Sequence, residues 1–113
     1  MAVLRIYTGD DGQTHFQDLP NAFPRIGKGE VSRLQPTTDV VQREDAGNSF
    51  GDWHNAPRRQ YVIVLSGEIE IEIGDGSKRR LVTGDVLLAE DVSGQGHITR
   101  GFGDRRTMSI GLA

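Results

Sequence analysis

Apolar and polar residues alternate most clearly in Glu68-Ile-Glu-Ile-Glu-Ile73, where a period of two puts isoleucines on one face of a strand and glutamates on the other. Just ahead of it, Tyr61-Val-Ile-Val-Leu65 is an unbroken β-branched and apolar run. Ser66-Gly67 between the two predicts a turn, and so a hairpin. Gly74-Asp-Gly-Ser77 predicts the next turn, basic Lys78-Arg-Arg80 leads into Leu81-Val82 as a further turn and strand, Thr83-Gly-Asp85 is another reversal, and Val86-Leu-Leu-Ala89 a short apolar strand. Ser93-Gly-Gln-Gly96 reads as a flexible loop and Arg106 to Leu112 as a closing strand. In the first half, Val3 to Tyr7 and Thr14 to Phe16 read as strands, Leu19 to Pro24 as an extended loop, and Val40, Val41 and Arg43 as part of another strand. Glu44 to Asp52, rich in Gly, Asp, Asn and Ser, reads as a surface loop that ends at Trp53 and His54. Nothing is amphipathic over the roughly 11 residues a helix needs. Short strands at this spacing predict an all-β sandwich or barrel.

Composition narrows the function more than the fold. A chain of 113 residues suits one domain, residues 1–113, and its 15 glycines weigh against long helices. The net charge of -3, with no large cluster of Lys and Arg, offers little to a phosphate backbone, so nucleic acid is not an expected partner. Without cysteine there is no disulfide, no thiolate-bound zinc and no cysteine nucleophile. No run approaches about 18 apolar residues, and Met1-Ala-Val-Leu-Arg-Ile6 is too short for a signal peptide, which gives a cytoplasmic, membrane-free expectation. There is no Gly-x-Ser-x-Gly elbow, no phosphate loop ending in Gly-Lys-Ser/Thr and no His-Glu-x-x-His.

The richest stretch runs Trp53-His54-Asn-Ala56-Pro-Arg-Arg-Gln60 to Gly67, then Gly84-Asp85 and, after a glycine-rich loop, His97. It resembles the cupin superfamily. The first cupin motif is His-x-His, three or four residues, Glu, six residues, Gly; the second runs from Gly-Asp through Pro-x-Gly to a third His. Here His54, Gln60, Gly67, Gly84, Asp85 and His97 take those places, over roughly residues 47–101. The resemblance implies an antiparallel double-stranded β-helix, or jelly-roll barrel, and a homodimer whose amino-terminal strands, with Val3 to Tyr7 as candidate, pair across subunits.

The departures matter as much as the matches. Ala56 stands where the family has its second His, Gln60 where it has Glu, Glu90 replaces the proline, and His97 comes two residues late. A cupin metal takes about three imidazoles and a carboxylate. A metal here would rest on His54, Gln60 and His97, with His15 the remaining histidine, which reads as a half-exposed strand residue beside Phe16. The cofactor stays open.

Alternation adds orientation. Arg58, Val62 and Val64 share the parity of Gln60 and should point into the barrel, whereas Arg59, Tyr61 and Ile63 should point away. An inward Arg58 beside two histidines favours an anionic or carbonyl-bearing small molecule; the alternative is a rim arginine paired with Glu90 or Asp91. Trp53 either walls the ligand or packs internally. Glu90-Asp91, beside the glycine-rich loop, offers a general base or a lid contact, against the plainer reading of solvated loop carboxylates, and Lys78-Arg-Arg80 and Arg105-Arg106 read as basic clusters on turns at the solvated surface. The leading functional reading is a non-redox enzyme of the isomerase, cyclase or lyase type. In it His97 or His54 is the general acid/base, and Arg58, Gln60, Trp53 and Val62 hold the substrate. Beside it stand a metal-dependent, dioxygenase-like cupin using His54, Gln60 and His97, and a non-catalytic metabolite-binding or sensing module.

Overall fold

Residues 60–72 form one strand rather than the expected hairpin, and much of the architecture follows from that. The computed structural model describes residues 3–19, the backbone of 25–26 and 29–30, and residues 34–113. Its strands are β1 (Val3–Thr8), β2 (Thr14–Asp18), β3 (Arg25–Ile26), β4 (Gly29–Glu30), β5 (Thr37–Asp45), β6 (Ser49–His54), β7 (Gln60–Glu72), β8 (Lys78–Val82), β9 (Val86–Glu90) and β10 (His97–Leu112). The described residues contain no helix, and so none long and apolar enough to cross a membrane. Of the expected loop from Leu19 to Pro24, Leu19 has no regular structure and residues 20–24 lie outside the described residues.

The long strands β7 and β10 each serve two halves of one folded sheet. The first half of β7 pairs with β9, from Gln60↔Ala89 to Ile63↔Val86, and the second half with β8, from Glu68↔Val82 to Glu72↔Lys78. β10 follows β7 along both halves, and pairs on its other side first with β6 and then with β5. One half-sheet therefore runs β2-β1-β9-β7-β10-β5 and the other β8-β7-β10-β6. The pairing is antiparallel throughout except that β1 lies parallel to β9, a mixed feature in an otherwise jelly-roll arrangement. No hairpin constrains this pair, which comes from distant parts of the chain, so its direction is free.

The two halves join at a paired irregularity. Between Phe102↔Glu68 and Arg106↔Ser66 the β10 strand carries extra residues, and between Arg106↔Ser66 and Thr107↔Val64 the ladder skips Leu65 of β7. Such bulges bend a strand and raise its twist. The one-residue excess explains why inward positions are even before it (Gln60, Val62, Val64) and odd after it (Ile69, Ile71, Ile73). A change of parity reads locally as a turn, but a bulge produces it too. Gly67 sits here at φ 89°, and a Cβ on it would lie 2.5 Å from the Cβ of Arg105 and 2.7 Å from the carbonyl oxygen of Asp104. Any side chain would push the strands apart.

The core gathers Leu4 and Ile6 of β1, Val64, Ile69 and Ile71 of β7, Leu81, Leu87 and Ala89. Each large aliphatic residue buried there contributes about 1.5–3 kcal/mol. On the outer face Glu68 pairs with Arg80, and Glu70 and Glu72 with Arg100, so the alternating segment presents its charges to water as expected. Three boundaries differ from expectation: β8 begins at Lys78, taking in the basic residues expected on a turn ahead of Leu81. The surface loop of Glu44 to Asp52 shrinks to residues 46–48 between β5 and β6, and the closing strand begins at His97 instead of Arg106. β5 and the start of β6 are largely exposed, so nothing requires an apolar alternation that the sequence would reveal. Val3 to Tyr7, the candidate for pairing between subunits, is flanked by β2 on one side and β9 on the other. Its backbone groups are already taken, which removes it as a free edge.

Candidate functional site

Two histidines meet because their strands do. His54 ends β6, His97 opens β10, and the two are direct partners in the ladder, with ring centroids 4.5 Å apart and planes 57° from parallel. Gly96, at φ 79°, makes the approach possible, since a Cβ there would collide with the carbonyl of His54. His54 is exposed, with Nδ1 donating to the Asp52 carbonyl at 2.6 Å. His97 is 5% exposed, and its Nδ1 stands 2.5 Å from Oδ2 of Asp91.

Asp91 carries the chemistry of this corner. It follows β9 and is fully buried; Oδ2 also accepts a hydrogen bond from Thr14 Oγ1 at 2.9 Å, while Oδ1 has no partner. A buried carboxylate on Nδ1 fixes the imidazole as its Nδ1–H tautomer and stabilises the imidazolium formed when Nε2 takes a proton. Nε2 of His97 has no partner among the described residues, and the side chain lines a cavity of about 400 Å³ between the half-sheets. The sequence offers Thr14 as an ordinary strand residue and Asp91 as a loop carboxylate, solvated or acting as a base or lid contact; both are buried, and Asp91 stands behind His97. The alternation Leu87, Ala89, Asp91 was the signal that Asp91 continues the inward face.

The cavity has an apolar middle of Val62, Ile69, Ile71, Leu87 and Ala89. His54, His97 and Gln60 also line it, as do Arg43, Asp45 and Arg105. Of the expected site residues, the structure brings together His54, His97, Gln60 and Val62. Arg58 and Trp53 are not in the wall. Arg58 pairs with Asp39, not with Glu90 or Asp91, and its Nε donates to Gln60 Oε1 at 3.3 Å. It thus stands behind Gln60 and turns the amide so that its oxygen faces the cation. Glu90 is taken instead by Arg5 and Arg59, both Nε to carboxylate at 2.7 Å. Trp53 is 39% exposed on β6. Arg105, expected at the surface, is 7% exposed.

As a metal centre these residues fit poorly. His54 and His97 can each offer Nε2, but the oxygen of Gln60 already accepts from a guanidinium and no carboxylate lines this corner. His15 lies on β2 against Asp11 and Tyr7, away from the cavity wall. The described residues hold no group of three His, Cys, Asp or Glu side chains arranged for a metal ion. Two imidazoles and a committed amide give no anionic donor to offset a divalent charge.

No family model and no curated protein matches this chain by sequence. Solved structures do match by shape. Protein NMB1881 from Neisseria meningitidis superimposes with a TM-score of 0.51 at 14% identity, covering 76% of this chain and 90% of that one. The shared fold is an all-β jelly-roll barrel, consistent with the fold that the resemblance to cupins implies. A candidate ethanolamine utilization protein Q from Salmonella typhimurium is similar over 99% of this chain and 95% of its own, at 16% identity and a TM-score of 0.40, too loose a fit to carry an argument. The likeness to NMB1881 concerns the fold alone and leaves the chemistry to the residues within it.

Proposed function

We propose that this cupin-fold protein is a non-redox enzyme that moves a proton on a small carbonyl compound held in the barrel, with His97 as general acid/base. The observation that supports it is the buried Asp91–His97 pair, whose Nδ1 is committed to the carboxylate and whose Nε2 is left to the cavity. In an isomerisation Nε2 takes a proton from the carbon beside the carbonyl, Asp91 stabilises the imidazolium, and the same proton returns to a neighbouring atom. In an elimination it returns to the leaving group instead. The developing enolate oxygen needs a donor. The Nε2 hydrogens of Gln60 have no acceptor among the described residues, and Arg58 holds the amide the right way round for them to serve. His54, at the exposed side, is placed to relay the proton to solvent.

Solvent deuterium exchange tests this without knowledge of the natural substrate. A panel of small 2-oxo acids, 3-oxo acids and hydroxyketones in deuterium oxide, followed by proton NMR, should reveal at least one compound whose C–H is washed out by the wild type. His97→Ala should slow that exchange by about 10²–10⁴-fold, and Asp91→Asn by roughly 10²-fold or more, through loss of the fixed tautomer. Exchange equal in wild type and His97→Ala across the panel would sink the proposal. Binding without exchange would make the barrel a metabolite-binding module.

A further inference from the structure

Arg105 is the least expected residue in the cavity wall. It sits in the β10 bulge opposite Gly67, a place where bulges re-aim side chains. Its Nη1 donates to the carbonyls of Gly47 at 2.8 Å and Gly103 at 3.0 Å, and its Nη2 to Ser49 Oγ at 2.6 Å. The guanidinium lies against Gly101, where a Cβ would collide with Cζ. The seat is therefore built for this group, yet every acceptor in it is neutral. Among the described residues no carboxylate comes within ion-pair distance of Arg105. Asp45, its neighbour across the β5 ladder, is paired with Arg43 at 3.2 Å, and Asp104 is engaged by the Gly47 amide at 3.0 Å. Arg43 and Asp45 cancel, so the charged residues of the wall leave one uncompensated cation.

A buried charge normally has a partner, and a permanent cation cannot escape the requirement by losing its proton. The donors still uncommitted are the Nε hydrogen and one Nη2 hydrogen. They sit on two nitrogens of one planar fork, the arrangement a carboxylate accepts from bidentately. Arg105 is bonded to Ser49 at one end of β6, and the imidazoles stand at its other end, five residues or about 16 Å of strand away. The apolar middle of the cavity lies between these polar groups.

We infer that the cavity takes a monocarboxylate with an apolar body, its carboxylate docked on Arg105 and its far end directed toward His97. This rests on reading the cavity as a small-molecule site, but it does not require that His97 be catalytic. Octanoate and its neutral counterpart octanamide are the probes, with dissociation constants measured by calorimetry. The wild type should bind octanoate about 10- to 100-fold more tightly than octanamide. Arg105→Met should abolish that preference. Because Arg105 also ties the β5–β6 turn, a second variant guards against misfolding. Thr107→Asp places a carboxylate two residues along on the same inward face, where it occupies Arg105 internally, and should weaken octanoate while sparing octanamide. Equal binding of the two probes by the wild type, failure of octanoate to bind, or a preference that survives in Thr107→Asp would overturn the inference. His97→Ala should keep the carboxylate preference, so loss of proton transfer and loss of anion recognition are read separately.

Discussion

Asp91 shows how much a single side chain can depend on one neighbour. Its Oδ2 accepts from both Thr14 Oγ1 and His97 Nδ1, and Oδ1 accepts from nothing, so the carboxylate is already under-satisfied for a fully buried group. Thr14→Val keeps the shape and removes one of the two donors. We expect a loss of about 1–3 kcal/mol in stability, read from the urea midpoint, and an unchanged midpoint would show that the Thr14 bond is not supporting the carboxylate. His54, Gln60 and His97 were legible through the resemblance to the cupin motifs, and Val62 through alternation, because strands report which side a residue faces. Asp91 was legible as well, in the Leu87, Ala89, Asp91 alternation, but charge argued for solvent and the alternation argued for the interior; burial beside His97 decides for the alternation. Arg105 had no such signal. Its inward neighbours Thr107 and Ser109 are polar, so that stretch of β10 shows no hydrophobic period to place it against.

Among elements, Glu90 joins three of them. It closes β9, accepts from Arg5 of β1, and accepts from Arg59 just ahead of β7. Burial pushes its carboxyl upward, but the hydrogen bonds from Arg5 and Arg59 outweigh this and hold it below its ordinary value of 4.5. A lowered value in the folded state means that the contribution to stability is present above pH 4.5 and disappears as the pH falls through the lowered value. Glu90→Gln should therefore be less stable than wild type in denaturant melts at pH 7, and the gap should narrow steadily on acidification. A constant gap would mean that shape rather than charge is at stake. Central, half-buried strands such as β7 and β9 were legible because one face must be apolar. The strands β5 and β6 were not, because their largely exposed faces tolerate the Gly, Asp, Asn and Ser that elsewhere spell a loop.

For the whole molecule the decisive place is the junction of the half-sheets at Gly67. A Cβ would meet Arg105 and Asp104, and the positive φ adds backbone strain, so Gly67→Ala should lose about 2 kcal/mol or more. The same substitution should blunt the preference for octanoate over octanamide, since it displaces the backbone from which Arg105 projects; a stable variant with full preference would separate the bend from the anion seat. Leu65, skipped by the β10 ladder, has a consequence of a different kind. Were the strand one residue shorter there, its side chains would alternate without interruption and its two halves would continue straight, like a plank. A flat sheet has two surfaces but no inside. Internal volume in this protein is thus a matter of residue count as much as of residue type: one surplus leucine, half exposed and chemically idle, helps turn a sheet into a container.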